Sequence, residues 1–247
     1  RNFFARKRHT ISESNDRRNV HGNESNGPAE HPFPQPPVVR GFASVAGKKE
    51  REGPLGDQFT ATVQDTTFGE KSWERAERRM QQMTLELALE KAGLTDADLD
   101  AAFAGDLLNQ CIGSSFSLRN RGVPTLGLYG ACSTMAESLL LAAMSVSGGY
   151  ARTALAMTSS HFASSERQYR FPLGYGGQRT PTSQWTVTGA GAVLLGGGEC
   201  GIRITAATIG SIVDRGICDA NNMGAAMAPA AFATLRALFD DLHCAPE

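Results

Sequence analysis

The sequence predicts an α/β fold built on a buried, mostly parallel sheet, and three observations point there. Segments patterned as strands and helices alternate along the chain, as parallel strands joined by crossover helices require. Glycine is abundant, at 27 residues, and most of it follows Gly105, where short strand-to-helix turns would use it. Hydrophobic residues make up 41% and charged residues 20% of the 247, the balance of an ordinary globular domain.

The elements follow in order. Residues 1–38 combine basic clusters, the polar run HGNESNGPAEHP and the Pro-rich HPFPQPP, and read as a disordered leader with too little apolar surface to bury. His9, His21 and His31 lie there at irregular spacing, which favours a solvated tail over a metal site. Val39 to Ala46 reads as a short strand before the turn-rich KKEREGPLGD. Trp73, Ala76, Met80, Met83 and Leu87 recur every three or four residues, one face of a helix running to about Ala92 and stopped by Gly93. Thr95 and Asp98 have the spacing of a helix cap, Ala101 to Ala104 reads as a buried strand, and Leu107 to Arg121 as a helix. A strand at Thr125–Tyr129, the small-residue helix MAESLLLAAMSVSGG and the strand TALAMTSS come next. A polar, aromatic loop from His161 to Gln184 precedes two further strands, within TVTGAGAVLLGGG and GIRITAATIGSIV.

Several function classes drop out. The formal net charge is −1, with 24 basic against 25 acidic residues, so nothing provides the basic stripe that nucleic acid requires. No run of 18 apolar residues occurs, and Arg1–Val20 lacks the apolar core of a secretory signal, so an intracellular protein is expected, with any membrane contact peripheral. Cys111, Cys132, Cys200, Cys218 and Cys244 show no CxxC spacing, which argues for reduced thiols and against a zinc site.

One junction carries chemistry. The strand TLGLY runs into Gly130-Ala131-Cys132-Ser133-Thr134 and then into a helix. The unpaired N–H groups and dipole of a helix start stabilise an anion and lower a thiol pKa, so such a cysteine is a candidate nucleophile or the wall of an anion pocket. It is equally a candidate small core residue. The pattern predicts Cys132 at least partly buried at a helix N-terminus, with the Ser133 and Thr134 amides facing a ligand. His161, at the end of a strand, is expected either to point toward Cys132 or to bond a loop carbonyl.

The A-C-S-T turn, together with the later strand G-A-G-A-V-L, resembles the ketoacyl synthase and thiolase superfamily, in which the cysteine at the head of the buried helix accepts the acyl group. A narrower resemblance is to the stage V sporulation protein AD family. It is carried by Gly53-Pro54-Leu55-Gly56, Lys71-Ser72-Trp73-Glu74, Ala104 to Gln110, Gly130 to Thr134, Thr158-Ser159-Ser160-His161, Ser165 to Gln168, Phe171-Pro172, Tyr175 to Gln178, Thr186 to Gly189 and Met223 to Ala231, over roughly residues 40 to 240. The resemblance implies a thiolase-like fold of αβαβα layers. Residues 39–200 would form its first half and 201–240 the start of its second, with a frayed tail at 241–247 and no partner there for Cys132, His243 included. Leu139, Leu140 and Met144 of the buried helix would then lack part of their cover.

The function implied is binding without turnover: taking dipicolinic acid, free or as its calcium chelate, into the developing spore. The site would sit beside other membrane subunits of the SpoVA-type channel assembly at the spore inner membrane, with a homodimer as one arrangement. No cofactor and no metal ligand set are expected. Dipicolinate has a flat ring and two carboxylates, so it calls for cationic donors at both ends and an aromatic face. The His161–Gln184 stretch supplies Arg167, Arg170 and Arg179 against Glu166, with Tyr169, Phe171 and Tyr175 among them and Trp185 just beyond. Cys132, His161, Arg167, Arg179 and Trp185 are therefore the ligand-binding candidates, though each arginine could equally face solvent. The alternatives are a ketoacyl-synthase or thiolase-like acyltransferase with Cys132 as nucleophile, and a scaffold whose pocket is filled.

Overall fold

A computed structural model describes residues 30–169, 186–219 and 222–245. Among the described residues eight strands form: β1 (Glu30–Pro32), β2 (Val38–Ala46), β3 (Ala61–Thr62), β4 (Ala101–Gly105), β5 (Thr125–Leu128), β6 (Thr153–Ser160), β7 (Gly189–Gly196) and β8 (Ala206–Thr208). The helices are α1 (Lys48–Arg51), α2 (Trp73–Ala92), α3 (Ile112–Leu118), α4 (Thr134–Ser147), α5 (Phe162–Tyr169) and α6 (Met223–Leu242).

Six strands make one sheet in the order β3-β2-β7-β6-β4-β5, and β1 pairs with β8 in a separate ribbon. Side chains alternate across a strand, and here both faces are apolar. Ala102, Ala104, Leu155, Met157 and Leu194 face α2, where they pack with Leu85, Ala88 and Leu89. Their neighbours Phe103, Ala154, Ala156 and Leu195 face the other way, onto Ala142, Ala143 and Val146 of α4. The result is a helix–sheet–helix sandwich. The sheet is mixed rather than mostly parallel: β4 is parallel to β5 and β6, but β7 runs antiparallel to both β2 and β6. β7 enters the sheet where the ends of the connection from β6 meet, so it runs back beside β6 in the opposite direction.

α2 keeps the expected bounds. Ser72 caps its start by accepting from Arg75 N–H at 3.3 Å, and Gly93 ends it at φ 65°, a left-handed conformation that costs glycine nothing. Thr95 and Asp98 form a reciprocal capping box. The buried face is rotated from the expected stripe: Ala76 and Met80 are buried, but so are Glu77, Gln81 and Thr84, while Trp73, Met83 and Leu87 are half-buried. The helix over 107–121 shrinks to Ile112–Leu118, because Gln110 and Cys111 take left-handed φ values of 59° and 52°.

Two expected boundaries are corrected. Residues 30–38 are ordered, since Phe33 sits in the α4 core and its N–H donates to Thr205 O at 2.9 Å. One apolar anchor among prolines is enough to fasten an extended segment. Residues 1–29 of the expected leader lie outside the described residues. At the other end, α6 continues to Leu242 and closes on a left-handed His243, with Cys244 N–H donating to Phe239 O at 3.1 Å, in place of a tail frayed from 241. α6 buries none of its residues, and no helix among the described residues is long and apolar enough to cross a membrane. On α4, Leu139 and Leu140 are half-buried and Met144 is 46% exposed, in line with the expected partial cover.

Candidate functional site

Because β4, β5 and β6 run in the same direction, Gly105, Leu128 and Ser160 all end on one edge of the sheet. Ligands of α/β sheets bind outside such carboxyl ends, where the chain leaves the ladder. Three segments converge on this edge.

After β4, the buried Asp106 accepts from Leu108 N–H at 2.9 Å and from both Ser114 N–H and Ser114 Oγ–H at 2.7 Å, which fixes the turn into α3. Gly105 has no room for a side chain, since a Cβ there would lie 2.2 Å from Leu128 O. The buried Cys111 thiol donates to Leu128 O at 3.0 Å, and burial pushes its pKa up. It is a packing cysteine.

After β5 comes the Gly130–Thr134 turn. Gly130 N–H donates to Thr134 Oγ1 at 3.2 Å, and that hydroxyl donates to Ala131 O at 2.8 Å. Ser133 sends both its N–H (3.1 Å) and its hydroxyl (2.8 Å) to Gly130 O. Ala131 is held at φ 49°, left-handed for a residue with a Cβ, a strain the surrounding bonds sustain. This corrects the expectation for Cys132. The thiol lies at the start of α4 as expected, but it is exposed, and the Ser133 amide is engaged inside the turn instead of facing a ligand. Ala131, Cys132 and Ser133 point outward, and Thr134 takes the buried position.

After β6, His161 is 0% exposed and has both ring nitrogens engaged. Its Nε2–H donates to Thr66 O at 2.8 Å, and its Nδ1 accepts from Ala163 N–H at 3.2 Å. Burial lowers its affinity for a proton, and the neutral ring stacks on Phe162 at 5.0 Å. Of the two expected roles, the loop-carbonyl bond is the one formed; presentation toward Cys132 is corrected, because the imidazole is spent pinning the Thr66 loop to α5. The expected loop from His161 begins as the helix α5. Arg167 lies on α5, but its side chain is outside the described residues, as are Arg179 and Trp185 altogether.

The two ends of the 162–187 excursion meet. Ser160 Oγ–H donates to Val187 O at 2.6 Å, Phe162 N–H to Thr188 Oγ1 at 3.1 Å, and Thr188 N–H to Glu50 Oε1 at 3.0 Å. A cleft of about 330 Å³ opens there, lined by Lys48, Lys49, Glu50, Thr66, Phe162 and Thr188. No cluster of three or more His, Cys, Asp or Glu side chains that could hold a metal occurs among the described residues.

Beneath the edge runs a buried polar network that pattern reading missed. Gln81 Nε2–H donates to Ser159 Oγ (2.7 Å) and Ser114 Oγ (3.1 Å), and Ser117 Oγ–H donates to Gln81 Oε1 at 2.7 Å. Glu77 faces Ser159 Oγ at 2.8 Å and Ser164 Oγ at 2.6 Å, and burial raises its pKa to about 7. The signal was legible: Glu77, Gln81 and Thr84 are polar residues at helical spacing beside the apolar stripe.

The family profile described as Stage V sporulation protein AD matches residues 28–247. Stage V sporulation protein AD of Bacillus subtilis (strain 168) is 45% identical over 211 residues, 85% of this chain; the chain spans 62% of that relative's length. Among solved structures, the fold is similar to a single-site variant of Xanthomonas campestris OleA bound with cerulenin, at TM-score 0.57 and 15% identity, over 87% of this chain and 73% of that one. A second likeness, to 3-oxoacyl-[acyl-carrier-protein] synthase III from Aquifex aeolicus VF5, has TM-score 0.44 and 17% identity over 66% of this chain and 55% of that one. The likeness to the OleA variant is one of fold.

Proposed function

Because the chain belongs to the stage V sporulation protein AD family, we propose that it is a non-catalytic, thiolase-shaped binding protein that takes dipicolinic acid and supports its uptake into the spore. In this reading it works beside membrane subunits of a SpoVA-type channel, as a peripheral component at the spore inner membrane. The observation that carries the reading is the shared carboxyl edge of β4, β5 and β6. That edge puts the Gly130–Thr134 turn and the root of the arginine- and aromatic-rich stretch on one side of the sheet.

The engagement of His161 supports binding over turnover. A thiol nucleophile in acyl transfer works with a base within hydrogen-bond reach, and this histidine's nitrogens are both committed elsewhere. Ligand recognition then falls to Arg167, Arg179 and Trp185, with Cys132 at the rim and His161 as a scaffold.

Calorimetric titration of the chain with dipicolinate, with and without calcium, tests this reading. Saturable binding is expected, with no covalent modification of the exposed thiols. Arg167→Ala or Arg179→Ala should weaken it by roughly 1.5–3 kcal/mol, the cost of losing a hydrogen bond to a charged group. No binding in either condition overturns the proposal. One observation favours the acyltransferase alternative: Cys132 is exposed at the head of α4. Covalent trapping of Cys132 by an acyl thioester would establish it.

A further inference from the structure

Gln81 is fully buried on α2, and both polar atoms of its amide are in use. One N–H donates to Ser114 Oγ on α3 at 3.1 Å and the other to Ser159 Oγ near the end of β6 at 2.7 Å. Its Oε1 accepts from Ser117 Oγ–H at 2.7 Å. A hydroxyl has one hydrogen to give. Ser114 gives its own to Asp106 at 2.7 Å, and Ser159 gives its own to Glu77 at 2.8 Å. Each serine is then left to accept from behind, and a primary amide offers two hydrogens and an acceptor on one stem. The residue type at position 81 thus suits two segments at once: the Asp106 turn after β4, and the end of β6. The second tie continues into α5, where Ser164 Oγ–H donates to Glu77 Oε2 at 2.6 Å.

Both segments depend on such ties. α3 has 7 residues and α5 has 8, below the roughly 12–15 at which a helix holds by itself. The turn into α3 passes through left-handed Gln110 and Cys111, a strained backbone that persists only where its surroundings fix it. We infer that Gln81 is a positioning residue for the carboxyl edge. By holding Ser114 and Ser159 on one amide, it sets the distance between the Asp106 turn and the root of α5. The role rests on that edge being the ligand site.

Gln81→Met in the full chain keeps the length of the stem and removes the fork. It orphans no hydrogen, because Ser114 keeps Asp106, Ser159 keeps Glu77 and Ser117 keeps Ser114 O at 2.9 Å. Amide hydrogen exchange, corrected for intrinsic rates, should rise about tenfold over the wild type in 112–118 and 159–165 and stay unchanged in α4 and β7. Dipicolinate affinity should fall about tenfold, as when the bonds that support a site are removed. Gln81→Glu adds a pH profile, read against the wild type at each pH. Protonated, at about pH 5, its acid group still donates once and accepts from Ser117, so both segments stay near wild type. Ionised, at about pH 8, it has no hydrogen for either serine and stands beside Asp106 and Glu77, so both segments loosen. Exchange that rises throughout the chain, in one segment alone or in neither overturns the inference, as does a Gln81→Glu variant that departs equally at both pH values. Should Gln81→Met not fold, the Gln81→Glu profile decides. A wild type that takes no dipicolinate overturns the proposed ligand and leaves exchange to judge Gln81; equal affinity in the wild type and Gln81→Met overturns the positioning role.

Discussion

At the residue scale, the burial of Glu77 has an energetic consequence. Its folded-state pKa of about 7 lies above the ordinary 4.5, with burial as the largest cause. The folded chain therefore binds this proton more tightly than the unfolded chain, so the stabilisation is complete below about pH 4.5 and is lost as pH rises through about 7. At about 1.4 kcal/mol per tenfold in proton affinity, the loss amounts to roughly 3 kcal/mol. Glu77→Gln should therefore gain stability over the wild type by up to that amount at about pH 8 and little near pH 5, read from urea unfolding at each pH. Gly105 marks a different constraint. A Cβ there would strike the Leu128 carbonyl at 2.2 Å and Thr134 Cγ2 at 2.5 Å, so Gly105→Ala should cost at least about 1–3 kcal/mol by overpacking. Equal unfolding midpoints for that variant and the wild type would show that the Cys132 turn tolerates displacement.

At the scale of elements, the α2 pattern was legible at its ends but shifted on its face. Ser72 and Gly93 act through local backbone chemistry, which a sequence states directly. Gly93→Ala would force a Cβ into the left-handed region and should cost roughly 1–2 kcal/mol, measurable by thermal unfolding. Which side of α2 is buried depends on where the sheet lies and on partners from α3, β6 and α5 that satisfy Glu77 and Gln81. Hydrophobicity alone ranks those residues as outward-facing. The head of α4 offers a direct check, since Cys132 is exposed and Cys111 buried. Native alkylation mapped by mass spectrometry should modify Cys132 and spare Cys111; protection of Cys132 would contradict the geometry of the turn.

At the scale of the molecule, apolar surface is unevenly covered. Along α3 and the edge strand β5, Ile112, Phe116, Leu126 and Tyr129 are exposed, as are Met223, Phe232 and Leu235 on α6. Exposed apolar patches beside an unpaired edge strand invite association. Leaving a large apolar side chain in water forgoes roughly 1.5–3 kcal/mol that burial would supply. The purified chain should therefore unfold below about 60 °C, within the mesophile range, with aggregation. Calorimetry showing a sharp, reversible transition above that temperature would mean that these faces cost little.

Sequence alone determined the alternation of strands and helices, the caps of α2, the placement of Cys132 at the head of α4 and the family likeness. These rest on local backbone preferences and on motifs that are contiguous in the chain. The tertiary structure decided the antiparallel insertion of β7, the exposure of the Cys132 thiol, the anchoring of Phe33 and the capture of His161 by Thr66. Each depends on what a distant segment presents across the sheet. Burial, hydrogen-bond partnership and pKa belong to that juxtaposition, and no single stretch of the chain encodes them.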